Sequence, residues 1–366
     1  MGSFDPIRQI KLRTLTPLWL GDIDRDSGVP KESGLLGSMR FWYEGLLRSC
    51  GARACDPTGE TQQRCEGSKR CDACKLFGAT GYARRFRLEI EGLQPTPVFF
   101  RLSRAVASSS GNWLWTIFGG ERTGGKKTRG PQGGLEFEFG VRALWSPEPF
   151  TINLHARPKE QDRVFSQIAF LLQTVSQKGG IGAKTQYGFG QVKLEPDPEI
   201  EALANEGEQY LGEQPTQNPF PDGTFTLHPD RFFTLLYRLP ADPYGTATDI
   251  GKPPADYDRT YIPCAFDIRY KYESWNPSTG RGSDRGLRPA IRDELGDSAA
   301  TRVFGFVRGG SAEASRVHVS HLYRETPNGP YLLKIWGDVA QRQDVVSVIR
   351  EHLKSRFPGI EEPEVL

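Results

Sequence analysis

The spacing of apolar residues over positions 7–194 switches between two periods, and the order of the switches leaves few chain paths open. Ile10 and Leu12 alternate with Lys11 and Arg13, a period of two that predicts a strand with one buried face and one wet, basic face. Apolar residues then recur at Leu35, Met39, Trp42 and Leu46, with Leu36, Tyr43 and Leu47 beside them, which is the stripe of an amphipathic helix. Period two returns at Phe86, Leu88 and Ile90, flanked by Arg85, Arg87 and Glu89, and again at Leu135–Phe139 and Thr151–Leu154. Val164, Ile168, Leu171 and Val175 mark a second helix, and Gln191–Leu194 a closing strand.

Strand, helix, strand, strand, helix, strand, with insertions, predicts an α+β fold of the ferredoxin-like kind shared with RNA-recognition domains. The remainder repeats the order loosely. Phe232–Tyr237 reads as a strand, and Ile262, Cys264, Phe266 and Ile268 as another. A short helix is expected over Pro289–Leu295, strands over Arg316–Val319 and Tyr331–Trp336, and a helix over Val345–Phe357. Both halves place an apolar-Phe-Gly triplet before a basic strand, Leu76-Phe77-Gly78 and Val303-Phe304-Gly305, which points to a tandem duplication. A third triplet, Ile117-Phe118-Gly119, begins no repeat, so the triplet alone is a weak signal.

Between the halves, residues 195–224 hold eight acids and no Lys or Arg, with Pro-, Gln- and Asn-rich runs, and read as an acidic linker. The expected division is therefore 1–194, 195–224 and 225–366. With 366 residues and a net charge of +2, a linker at −8 leaves +10 on the rest of the chain. Such an excess either holds a polyanion, for which nucleic acid is the obvious candidate, or is spread thinly as solubilising charge. No run of about 18 apolar residues and no basic-then-apolar amino terminus is present. A membrane partner is not expected, and a cytoplasmic location is.

Lys178-Gly179-Gly180-Ile181-Gly182-Ala183-Lys184-Thr185-Gln186-Tyr187-Gly188-Phe189-Gly190 follows the second helix. Its glycines free the backbone, and successive N–H groups suit phosphate oxygens. The spacing is not that of a P-loop, and an ordinary glycine-rich helix cap is the other reading. The nucleic-acid candidates here are Lys178, Gly179, Gly180, Gly182, Lys184, Gln186 and Tyr187. Arg85 and Arg87, with Arg84 just before them, make either a phosphate-binding stripe that joins the loop in one groove or a solvated edge. Lys126 and Lys127 lie in a basic segment, residues 121–130, read as a mobile loop that orders on RNA or is merely flexible. Arg40 is spaced four apart from Glu44, and Glu44 from Arg48, as in a solvated ion-pair ladder; its place near a helix start also suits an anion.

A glycine-rich loop after the second helix of a ferredoxin-like domain resembles the signature of the RAMP superfamily of CRISPR systems. Gly34-Leu35-Leu36-Gly37-Ser38-Met39-Arg40-Phe41-Trp42-Tyr43 is similar to the Gly-x-Leu-Arg-Phe-Trp-Trp segment in one subunit of the type III-B (Cmr) effector complex, with Met39 and Tyr43 departing from it. The match covers most of residues 7–194, and the second half only in outline. The resemblance implies two tandem RAMP domains in a non-catalytic, RNA-binding subunit. It further implies guide RNA, target RNA and other Cmr subunits as partners, with contact toward the 3′ end and RNA cleavage by a different subunit. Related ferredoxin-like CRISPR endoribonucleases, which process guide precursor RNA without metal, supply the alternative, with His155 or the Lys184 and Tyr187 pair as acid and base.

Five of the six cysteines fall between Cys50 and Cys74. Clustered thiols without an export signal favour metal over disulfide. Cys71-Asp72-Ala73-Cys74 has zinc-knuckle spacing, Cys55 and Cys65 complete a tetrahedral set, and Cys50 is a substitute ligand; free thiols or an oxidised pair are the alternatives. No catalytic cofactor is expected. Among the histidines, His318 and His321 are expected to face opposite sides of one strand.

Overall fold

The computed structural model describes residues 7–21, 29–56, 65, 70–104, 126–129, 135–146, 148–213, 224–239, 265–270, 272–276, 281–284, 286–308, 311–326 and 328–366. In the first half, β1 (Ile7–Thr14), α1 (Glu32–Ser49), a short α2 (Asp72–Phe77) and β2 (Phe86–Glu91) precede a three-stranded insertion. The insertion comprises β3 (Pro95–Arg104), β4 (Lys126–Arg129) and β5 (Leu135–Leu144), ordered β3-β5-β4. Then come β6 (Phe150–Ala156), α3 (Gln161–Lys178) and β7 (Val192–Leu194).

The main sheet runs β2-β6-β1-β7, every pair antiparallel. Ile90, Ile152 and Ile10 share one row across three strands, so the period-two pattern sends all three toward the same face. That face is covered by Leu35, Met39 and Trp42 of α1 and by Val164, Ile168, Leu171 and Val175 of α3, the stripes that the spacing predicts.

The chain continues through a helix α4 (Pro198–Gly212) into the second half, which contains β8 (Phe232–Arg238), α5 (Ala265–Tyr270), β9 (Tyr272–Asn276), β10 (Arg281–Asp284), α6 (Leu287–Leu295) and α7 (Asp297–Phe304). It ends with β11 (Phe306–Arg308), β12 (Ser311–Glu313), β13 (Val317–Val319), β14 (Leu332–Asp338), α8 (Arg342–Arg356) and β15 (Glu364–Val365). The four-stranded sheet of this half is ordered β13-β14-β8-β15. Counting only the strands of each main sheet, both halves read second, third, first, fourth, which is the ferredoxin-like order.

The duplicated triplets are equivalent in detail. Gly78 ends α2 and Gly305 ends α7, each with positive φ, and the first residue of each triplet accepts from the arginine that immediately precedes a strand: Arg85 N to Leu76 O at 3.0 Å, and Arg316 N to Val303 O at 2.9 Å. The third triplet lies outside the described residues.

Two expectations change. Residues 195–224 are not bare linker, because α4 is capped by the Asp197 carboxylate and packed on α3. Its buried Ile200, Ala204, Gly207 and Leu211 form a helical stripe hidden among exposed acids; at Gly207 a Cβ would lie 2.2 Å from Ser166 O, so the two helices approach closely. The strand expected over 262–268 is instead α5, with Ala265, Ile268 and Arg269 buried, a spacing of three and four that outweighs the alternation; Ile262 and Cys264 lie outside the described residues. The halves meet through aromatic rings, Trp42 standing 5.0 Å from Trp336 and 6.1 Å from Phe232.

Candidate metal centre and glycine loop

The Sγ atoms of Cys55, Cys65, Cys71 and Cys74 all lie within 4.8 Å of one another. Cys55 follows the end of α1, Cys71 caps α2, and Cys74 sits in the first turn of α2. The Cys55 sulfur is 3.3 Å from that of Cys74 and 3.7 Å from that of Cys71. Four thiolates at about 2.3 Å around a tetrahedral ion stand roughly 3.8 Å apart, so the set fits a closed structural site. Backbone N–H groups already point at sulfur: Cys71 N lies 3.2 Å from Cys65 Sγ, and Cys74 N lies 3.5 Å from Cys71 Sγ. Hydrogen bonding from Cys55 lowers the Cys71 pKa, whereas burial raises that of Cys74. Cys50 stands aside, its sulfur against Ser49 Oγ, and is not part of the set.

Arg40, expected at a nucleic-acid surface, turns its guanidinium toward this cluster. Its Nε pairs with Glu44 at 2.8 Å, Nη1 donates to Gly78 O at 2.7 Å, and Nη2 donates to Cys74 Sγ at 3.2 Å. Glu44 is 3.7 Å from Arg48, whose own guanidinium donates to Cys55 O and Phe225 O. Glu44 and Arg48 are buried, so the ladder is enclosed where the spacing suggested a solvated one.

The glycine loop is largely closed. Gly179 and Gly180, expected to meet phosphate, are buried: a Cβ at Gly179 would come 2.0 Å from Trp42 Cζ2, and Gly180 O accepts from Trp42 Nε1. The N–H groups expected to form an anion cradle serve the protein instead. Ile181 N donates to Gly190 O, Gly182 N to Ser38 Oγ, Ala183 N to Trp19 O, Gly188 N to Thr185 O and Gly190 N to Pro17 O. These glycines permit close packing, and the helix-cap reading describes most of the segment.

What reaches solvent is the tip. Ala183 is exposed, and Gly182, Lys184, Gln186 and Tyr187 are partly so. Lys184 is left-handed at φ 58°, the one non-glycine residue with positive φ among the described residues, and its Nζ lies 3.4 Å above the Trp19 ring centroid. Lys178 is partly exposed, and its carbonyl accepts from Thr234 of the second half.

Three second-half residues that the sequence did not single out for this purpose brace the tip. His318 Nδ1 meets Thr185 Oγ1 at 3.0 Å while its ring stacks on Trp336. His321 donates its backbone N–H to Gly188 O and accepts from Ala265 N at Nδ1. Buried Arg269 donates to Gln186 O, Phe304 O and Ser315 Oγ. His318 and His321 thus meet the same loop, contrary to the expected opposite facing, because the pairing with β14 slips by one residue between Val319↔Ile335 and Tyr323↔Leu332 and strict alternation is lost there.

The arginine stripe does not join the loop in one groove across the sheet. Arg87 is exposed on β2, in the row of His155 and Ile7, whereas the loop leads into β7 beside Thr14. Seven residues along β1 and three strands across separate these corners by more than about 20 Å. The polar face between them is of mixed sign: Glu89 lies 3.6 Å from His155, Glu195 pairs with Arg13, and Glu325 with Lys193. Arg84 is half-buried, and Arg85 faces Glu160 at 3.5 Å. Lys126 and Lys127 are strand residues paired with β5, not loop residues; their side chains and residues 121–125 lie outside the described set.

The RAMP superfamily profile matches residues 11–193. No curated protein matches the chain significantly. Among solved structures, the chain is similar to apo Cmr1 from Pyrococcus furiosus, at 14% identity and a TM-score of 0.47 over 98% of each chain. It is also similar to a chain of the type III-B Cmr-beta complex bound to cognate target RNA and AMPPnP, at 9% identity and a TM-score of 0.44 over 95% of this chain and 99% of that one. No helix among the described residues is long and apolar enough to cross a membrane.

Proposed function

The chain belongs to the RAMP superfamily, and from that premise we propose that it is a non-catalytic RNA-binding subunit of a type III-B CRISPR (Cmr) effector complex. In this reading it acts in the cytoplasm beside other Cmr subunits and contacts guide and target RNA toward the 3′ end. Residues 1–194 form the RNA-facing unit, and residues 225–366 a degenerate second unit that braces it.

The observation that carries this reading is the exposed loop tip centred on Lys184. A left-handed lysine costs on the order of 1 kcal/mol and persists only where its surroundings over-determine it. Here hydrogen bonds from both halves hold the turn, and an ammonium is presented beside an exposed Ala183. One or a few phosphates meeting such a tip would give sequence-independent binding. The histidines favour binding over cleavage, since His318 and His321 already serve structural hydrogen bonds and His155 leans on Glu89. Zinc on Cys55, Cys65, Cys71 and Cys74 is part of the proposal; when bound, it cross-links the end of α1 to α2 and does no chemistry on RNA.

The test is Lys184→Gly, because glycine relieves the left-handed strain while removing the charge and its stacking on Trp19, terms of about 1 kcal/mol that offset. Binding of single-stranded RNA across a salt series should weaken, with the slope of log K against log salt shallower by roughly 0.7 for each phosphate that the tip no longer neutralises. Wild-type affinity and slope in the folded variant would remove the tip from the interface.

A further inference from the structure

Zinc held by four thiolates carries two net negative charges, and in a buried site these need compensation from the protein. Three of the four cysteines are buried, and the groups that face the set from α1 are Arg40, Glu44 and Arg48. Arg40 is the one whose charged nitrogen touches sulfur, at 3.2 Å from Cys74 Sγ and 3.9 Å from Cys55 Sγ. The same guanidinium is fixed in place by Glu44 on Nε and by Gly78 O on Nη1. Gly78 is the residue that closes α2, one turn after Cys74, so a single planar fork grips both a ligand and the helix that carries it.

We propose that Arg40 is an outer-sphere partner of the metal, donating N–H···S hydrogen bonds to Cys74 and Cys55 and balancing the charge of the zinc tetrathiolate. This assigns to the metal centre an arginine that the sequence placed at an RNA surface, and it rests on the zinc reading above. Glu44 orients the fork. Arg48 completes the charge balance, but its guanidinium donates to backbone carbonyls and not to sulfur. Arg40 therefore differs from its neighbour eight residues on in what its loss should do to the metal.

The experiment measures Zn²⁺ affinity of the full chain by competition with a chromophoric chelator, and the thiolate-to-metal charge-transfer band after Cd²⁺ loading. Outer-sphere partners of metal ligands contribute about 10- to 100-fold in affinity. Arg40→Met should lower affinity in that range and shift the band, Arg40→Lys should lower it less, and Arg48→Met should leave the band where it is. Wild-type affinity and an unshifted band in both Arg40 variants would overturn the assignment while leaving the zinc centre standing. An equal band shift in Arg48→Met would overturn it as well, by showing that the ladder as a whole is responsible. If the wild-type chain binds neither ion, the zinc reading itself falls, and this assignment with it. Should Arg40→Met fail to fold, the Arg40→Lys and Arg48→Met pair decides alone.

Discussion

Gly179 packs so closely against the indole of Trp42 that a methyl group there would stand 2.0 Å from Cζ2 and 2.2 Å from Cη2. The indole cannot retreat without breaking its hydrogen bond to Gly180 O, and it is wedged against Phe225, Phe232 and Trp336. Gly179→Ala should therefore cost about 2 kcal/mol or more, as overpacking of a filled core does. The check is the denaturant midpoint, with Gly37→Ala as the comparison, since a Cβ there meets nothing. Equal midpoints in the two variants would contradict the packing account.

Metal removal gives a second prediction. Chelation of the native protein should lower its melting temperature, and Cys74→Ser should abolish that sensitivity along with bound zinc. Cys50→Ser should retain both, because Cys50 lies outside the sulfur cluster. Elemental analysis alongside thermal melts reads all three; loss of zinc in Cys50→Ser would require a different ligand set.

Glu44 sits between two arginines at 6% exposure, which changes the expected cost of losing it. A solvated pair at this spacing contributes a few tenths of a kcal/mol. Removal of the shared partner from a buried network leaves two guanidiniums without their carboxylate and costs on the order of 3 kcal/mol. Burial also raises the Glu44 pKa, and the two arginines oppose that shift. Glu44→Ala is measured by urea unfolding at neutral pH; a destabilisation below about 0.5 kcal/mol would place the ladder in solvent after all.

His318 predicts a pH dependence. Desolvation, with Arg269 nearby adding to it, pushes its pKa down to about 3 from the ordinary 6.5. The unfolded chain then binds a proton between those values that the folded chain does not, so stability is full above about pH 6.5 and falls as the pH drops. Between about pH 7 and 5 the decrease from this residue is of order 1–2 kcal/mol. His318→Gln keeps an acceptor toward Thr185 and should lose less stability over that interval than the wild type. Parallel curves for the two proteins would show that His318 does not titrate in this way.

The sequence by itself determined the first four-stranded sheet with its two covering helices, and three of the four strands of the second, because a period of two or 3.6 is a local property that survives whatever the chain packs against; the two-residue β15 is too short to show a period, and α5 was read as a strand. Leu35, Met39 and Trp42 could be assigned to a core from spacing alone, whereas spacing put Cys55, Cys65, Cys71 and Cys74 together with Cys50 still as a substitute, which the sulfur positions then set aside. Helix α4 was also legible in principle, through Ile200, Ala204, Gly207 and Leu211, but its acids masked the stripe. Only the tertiary structure decided what the polar and glycine residues do. A glycine that admits phosphate and one that admits an indole look alike in a sequence; Gly179 proved to be the second kind because Trp42, 137 positions earlier, fills the space. Arg40 turned inward for the same reason, since the sulfurs, Glu44 and Gly78 O that receive it converge only after α1 and α2 have docked. The bracing of the loop by Arg269, His318 and His321 joins residues more than 80 positions apart, and no local pattern encodes a contact of that range.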